Sequence, residues 1–197
     1  MTPASQGRAG SPAAPLSAAA AALILCLLLS AMTPGLFFFS LLSQGEGAQM
    51  PEEALAFCRG SFLWPLYGYG PERVTSRFGP RVSPGGIGST DHKGIDIAAP
   101  AGTPVHAAAA GVVTVSAYSS VMGNYVELDH GGGVKTRYEH MSERLCRAGD
   151  EVAAGEIVGL VGSTGASTGN HLHFEVSVNG TRYDPLRIFQ EQEDDPF

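Results

Sequence analysis

Basic residues are scarce in this sequence: 12 Lys and Arg stand against 19 Asp and Glu, for a formal charge of −7. Nothing basic is clustered, which excludes the electrostatic footprint of a nucleic-acid-binding surface. No His-Glu-x-x-His segment is present, so no helix pairs two metal-binding histidines with a glutamate base. Gly159, Gly162, Gly165 and Gly169 lack the Lys-Ser/Thr ending and the following helix of a phosphate-cradling loop. Cysteine is rare too. Cys26 lies in an apolar run without the small residues a lipid-attachment site needs before it, which leaves Cys58 and Cys146. Outside the cytoplasm two such thiols either pair or stay buried apart, and the expectation here is a disulfide between them.

Between 13 and 42 charge is missing altogether, and 18–29 is nearly all Ala, Leu and Ile. A secretory apolar core runs about 7 to 15 residues, whereas about 20 are needed to cross a bilayer. The expectation is a single transmembrane anchor over 13–42, which tolerates the Pro34-Gly35 interruption. Arg8 precedes the run and Glu46, Glu52 and Glu53 follow it, which puts 1–12 in the cytoplasm and the remainder outside. The alternative is a signal cleaved near 45–48, giving a secreted or periplasmic protein. Residues 43–71 read as a tether, with a short helix over 51–58 and an aromatic patch at Phe62, Trp64, Tyr67 and Tyr69; 190–197 read as an acidic tail.

From 72 to 189 helical periodicity is lacking, and short runs rich in Val, Ile, Thr and Tyr alternate with Gly, Pro, Ser and Asn. This predicts an all-β domain of antiparallel sheet. Expected strands are 74–77, 94–97, 104–107, 111–117, 124–129, 134–140, 157–161 and 171–178, with a hairpin turn at 129–133. A faint repeat links 101–113 to 148–158, as in a sheet of two similar hairpin units.

The chemistry centres on Asn170-His171-Leu172-His173-Phe174-Glu175-Val176. In a strand His171, His173 and Glu175 share one face, over an apolar floor of Leu172, Phe174, Val176 and Val178. His92-Lys93-Gly94-Ile95-Asp96 places a histidine and a carboxylate on one face of an extended segment. With a third histidine they make a three-ligand zinc set that leaves one position for water. His140 ends its strand, on the face shared by Val134, Thr136 and Tyr138, where it can reach a cleft. His106, in an apolar strand, and His130, in the hairpin turn, read as structural. Gly165-Ala166-Ser167-Thr168-Gly169 fits the Gly-x-Ser-x-Gly elbow of serine hydrolases, but a strand follows it instead of a helix, and no aspartate lies between Ser167 and a later histidine. The glycines there shape the turn into the histidine strand.

His92-x-x-x-Asp96, Tyr138-x-His140 and His171-x-His173, with Ser76-Arg77-Phe78-Gly79-x-Arg81, Gly123-Asn124-Tyr125-Val126 and Gly162-Ser163-Thr164-Gly165, resemble the motifs of the lysostaphin-type (LytM-like) zinc endopeptidases, which cut peptide bonds in peptidoglycan. The resemblance spans about 74–189. It implies the LytM-like, duplicated-hybrid-motif β fold, one zinc ion held by His92, Asp96 and His173, and catalytic roles for His140 and His171. Peptidoglycan stem peptides or cross-links are the implied substrate. Some relatives place a tyrosine shortly before the first zinc histidine to steady the oxyanion; 81–91 contains none, so that role falls to no named residue. The alternative reading is a relative that keeps the fold without activity, as a regulator or scaffold of envelope complexes.

Overall fold

The computed structural model describes residues 49–83 and 89–190. The anchor expected over 13–42 and nearly all of the acidic tail lie outside the described residues. Among those described, no helix is long and apolar enough to cross a membrane.

The elements are helix α1 (Glu52–Ser61), then strands β1 (Val74–Ser76), β2 (Gly79–Pro80), β3 (Asp91–His92), β4 (Ile95–Ala98), β5 (Pro104–His106), β6 (Gly111–Ser119), β7 (Gly123–Asp129), β8 (Val134–Met141), β9 (Glu143–Arg144), β10 (Glu151–Val152), β11 (Ile157–Leu160), β12 (His171–Val178) and β13 (Thr181–Tyr183), and a closing turn of helix, α2 (Leu186–Phe189). The main sheet runs β1-β4-β12-β8-β7-β6-β10, with β13 beside the end of β12; β5-β11-β9 form a second sheet and β2-β3 a ribbon. Every pairing is antiparallel, as the alternating pattern predicts. β12 lies between β4 and β8, so its residues face partners on both sides.

The internal repeat acquires a different meaning in three dimensions. The two similar segments do not fold as separate hairpins. β5 of the first pairs with β11 of the second, and β10 of the second with β6 of the first. Backbone bonds seal the exchange: Ala107 N–H donates to the Glu156 carbonyl and Gly155 N–H to the Ala107 carbonyl, both at 2.8 Å.

The apolar face of β12 behaves as its alternation requires, with Leu172, Phe174 and Val176 fully buried among Ile95, Ile97, Val126 and Leu128. The stretch read as a tether also enters this core, through Cys58, Phe62 and Leu66. Leu63 N–H donates to the Ala108 carbonyl at 2.7 Å, and Trp64 packs edge-on against Phe189 with centroids 5.0 Å apart. The expected disulfide does not form: Cys58 and Cys146 are both free and buried. The Cys146 thiol donates to the Val158 carbonyl at 3.6 Å, and Cys58 is fully enclosed in the core. Burial pushes each thiol up to about 11.

Candidate metal centre

The polar face of β12 carries His171, His173 and Glu175, and register decides what they meet. His173 lies opposite Asp96 of β4 on one side and Glu139 of β8 on the other. Close approach at the start of β4 depends on Gly94, because a Cβ there would collide with the Phe174 carbonyl. His92 arrives from β3, whose pairing with β2 puts it opposite Gly79. His92, Asp96 and His173 are buried, with 2%, 9% and 7% of their surface exposed, so water does little to compensate whatever charge they carry.

Three atoms converge there. His173 Nδ1 lies 2.8 Å from Asp96 Oδ1, His92 Nε2 lies 3.1 Å from the same oxygen, and the two ring nitrogens are 3.0 Å apart. The opposite nitrogen of each ring is already engaged. His92 Nδ1 donates to the Arg77 carbonyl at 2.8 Å, and His173 Nε2 donates to Glu175 Oε1 at 3.3 Å. His92 Nε2 and Asp96 Oδ1 therefore present lone pairs to one another, with a single proton on His173 Nδ1 to serve both. Burial alone would raise Asp96, but the proton it shares with His173 and the neighbouring His92 ring hold it well below the usual carboxylate range. Burial alone would lower His173, yet its bonds to Asp96 and Glu175 push it up to about 9. A pocket that holds a proton this firmly is built for positive charge. Tetrahedral zinc with bonds of about 2.0–2.1 Å keeps its ligands roughly 3.3 Å apart, so this donor set fits the ion after opening by a few tenths of an ångström. Arg81 braces the carboxylate from behind, donating to Asp96 Oδ2 at 2.8 Å and to Ser76 Oγ.

His140 and His171 stand beside this triad, with ring centroids 4.8 Å apart. The strand pattern does not account for His140. Val134, Thr136 and Tyr138 point into the core, and simple alternation would send His140 after them. Instead its φ is +63° and the β7–β8 register shifts between Asn124 and Val126, which turns the ring to the cleft side. A left-handed conformation at a non-glycine residue costs of order 1–3 kcal/mol and persists where the surroundings enforce it. Here His140 N–H donates to the Met122 carbonyl at 2.8 Å, and Gly123, itself at φ +65°, lies so near Thr164 that no Cβ would fit.

The glycine-rich loop before β12 sets both rings. His140 Nδ1 donates to the Thr164 carbonyl at 2.9 Å and His171 Nδ1 to the Gly169 carbonyl at 2.8 Å. Each Nε2 is thereby left as the free acceptor, and that of His171 lies 3.7 Å from Asp96 Oδ1. Burial lowers His140 to about 4, helped by His171 and His173, so its ring is neutral near pH 7. Ser167 comes within 3.5 Å of His171 Nδ1, but that nitrogen carries its proton toward Gly169 and cannot accept another, so no serine–histidine pair exists. His106 stacks on Tyr67 at 4.0 Å and His130 bonds to the Ala110 carbonyl and Thr136, both away from the cleft, as expected of structural histidines.

The five residues singled out in the sequence thus line one cleft of about 310 Å³. A description of peptidase family M23 matches residues 90–185. The catalytic domain of lysostaphin from Staphylococcus simulans superimposes with a TM-score of 0.53 at 31% identity, over 70% of this chain and 96% of that one. The chain belongs to peptidase family M23. Among other M23 relatives, a DD-carboxypeptidase/endopeptidase Mpg of Neisseria meningitidis is 45% identical over 116 residues, covering 59% of this chain and 27% of that protein. A zinc-containing peptidase from Vibrio cholerae superimposes with a TM-score of 0.56 at 35% identity, over 63% of this chain and 39% of its own. This M23 chain therefore spans little more than a quarter of the curated Neisseria relative. Its antiparallel β domain is the LytM-like fold. The sequence reading assigned no role to Arg81, Glu139 or Glu175. The last had a visible signal, since it shares a strand face with both histidines.

Proposed function

We propose that this chain is a zinc metalloendopeptidase that hydrolyses peptide bonds in the stem peptides or cross-links of peptidoglycan. The observation that carries the reading is the convergence of three buried donor atoms with two histidines whose Nε2 atoms are free toward the same cleft. His92, Asp96 and His173 are the proposed ligands. Bound there, zinc would supply Lewis acidity to the scissile carbonyl and acidify an attacking water. His140, held neutral by burial, takes the proton from that water at Nε2. His171, held in the same tautomer by Gly169, presents its own Nε2 lone pair to that water and orients it, and the proton taken by His140 passes from His140 Nε2 to the leaving amine. The similarity to a DD-carboxypeptidase/endopeptidase of Neisseria favours D-amino-acid cross-links over glycine bridges. A non-catalytic regulator has no need of a complete donor set beside two oriented bases, which weighs against that alternative. An extracytoplasmic site, reached through an anchor at 13–42, suits the substrate.

The test is digestion of purified peptidoglycan by the zinc-loaded chain, with the fragments read by mass spectrometry. Cleavage at a D,D cross-link, lost on chelation and restored by zinc, is the expected result. An intact wall in the presence of stoichiometric zinc would overturn the enzyme reading.

A further inference from the structure

Glu175 lies outside the donor set, yet its two carboxylate oxygens are divided between different tasks. Oε1 accepts the Nε2–H of His173 at 3.3 Å. Oε2 accepts from Arg182 Nε at 3.0 Å and lies 3.4 Å from an Arg137 nitrogen. Glu175 is buried, with 6% of its surface exposed, so the pair of guanidinium groups replaces the water its carboxylate has lost. His92 contrasts with this, because its outer nitrogen meets a neutral backbone carbonyl. The two rings proposed as ligands are therefore oriented by groups of different charge.

Glu139, Glu175 and His173 form a second cluster of metal-ligating types. A second ion is not needed to explain it. The Arg137 guanidinium lies 3.8 Å from Glu139 and 3.4 Å from Glu175, and supplies the balancing cation. What remains unexplained by ion pairing is why one oxygen of Glu175 is turned to a histidine rather than to either arginine.

We infer that Glu175 is a positioning residue: clamped by Arg182 and Arg137, it fixes the ring of His173 with Nδ1 toward the metal site and strengthens that nitrogen as a ligand. A carboxylate that accepts the outer N–H of a ligating histidine orients the ring and raises its basicity, and removing such a partner typically weakens metal binding about 10- to 100-fold. Strand geometry makes the arrangement simple, since residues 173 and 175 are successive on one face and β13 delivers Arg182 from the adjacent strand directly opposite Ser177, the next residue on that face after Glu175. The inference rests on the proposed zinc site, but the geometry at Nε2 stands whether or not an ion is bound.

Two measurements on the full chain test it. Zinc affinity is measured by competition with a chelator of known strength, and the His173 Nε2–H proton is followed by NMR in metal-free and zinc-loaded protein. In Glu175→Ala, zinc affinity should fall about 10- to 100-fold and the Nε2–H signal should vanish into exchange with water. Glu175→Gln keeps an oxygen acceptor, so the signal should persist and the loss of affinity should be smaller. Arg182→Met, which loosens the clamp without touching the ring, should weaken zinc by a few-fold and speed exchange of the same proton. It decides the matter if Glu175→Ala does not fold. Native affinity and an unchanged Nε2–H signal in Glu175→Ala, or in Arg182→Met where only that variant folds, would overturn the inference. Failure of the native chain to bind zinc would instead sink the proposed function, and the exchange behaviour of the metal-free protein would still judge Glu175.

Discussion

Tyr138 belongs to the Tyr-x-His element that helped to mark the site, but its side chain works on the other side of the sheet. It is fully buried, packs against Phe174 at 5.4 Å between ring centroids, and its Oη accepts the Ala108 N–H at 2.8 Å. Thr136 Oγ1 lies 3.0 Å from the same oxygen and 2.8 Å from His130 Nε2, so the hydroxyl is part of a buried chain of hydrogen bonds. In Tyr138→Phe the ring volume is retained and no cavity opens. The change strips the partner from one buried backbone N–H, which costs about 1–3 kcal/mol. For a domain of this size that lowers Tm by about 3 to 10 °C. The ring does not line the cleft, so zinc content and the initial rate of wall digestion should stay within a factor of about two once the protein is folded. Calorimetry beside a digestion assay at 25 °C separates the two quantities. A rate loss of tenfold or more with an unchanged Tm would refute the reasoning and give Tyr138 a place in the chemistry.

Four further outcomes follow from the same geometry. His173→Ala should empty the metal site, whereas His171→Ala should keep near-stoichiometric zinc and lose about a hundredfold or more in rate; metal analysis of the two variants decides it, and the reverse pattern would exchange their roles. Burial lowers His130 below its ordinary value, against the smaller opposing pull of the Ala110 carbonyl and Asp129. The fold therefore favours the neutral ring, so its contribution is intact above the unfolded pKa near 6.5 and is lost as pH falls below it toward the folded value; Tm should drop between about pH 7 and 5, and His130→Gln should flatten that slope. Cys58 and Cys146 should resist alkylation in the native chain and both react after unfolding, and a peptide map showing them joined would contradict the fold. The anchor expected over 13–42 would leave the apolar segment on the membrane-extracted protein, and a mature N-terminus near 48 would replace it with a cleaved signal.

How much of this was legible in the chain depended on whether local pattern or tertiary contact made the decision. β12 was legible because two signals coincided, a period of two in side-chain direction and an apolar set occupying every second position. Register then followed chemistry, since only one alignment puts Asp96 beside His173 and keeps Ile95, Ile97, Leu172 and Phe174 together in the core. The segment before residue 72 was illegible for the opposite reason. Its aromatic and apolar residues are irregularly spaced, so nothing local announces that Phe62 and Leu66 finish a core built mainly from strands far along the chain. The cysteines misled because burial and pairing look the same in composition, and only the packing around each thiol distinguishes them.

His140 is the most instructive departure. Its expected face, shared with Tyr138, would have buried it, and the expectation that it reaches a cleft could not be reconciled with that alternation by strand geometry alone. The resolution lies in residues far from it in sequence: Met122 takes its N–H, Thr164 takes its Nδ1–H, and two glycines, 123 and 165, let those loops close to within contact. The strained backbone is thus held by the same loop that sets the tautomers of His140 and His171. It follows that the glycine-rich loop, which contributes none of the five assigned side chains, governs the chemistry of two of them. Lengthening it by one residue between Gly165 and Gly169 should release both Nδ1 atoms from their carbonyls and reduce the rate while leaving His92, Asp96 and His173, and with them the metal content, in place.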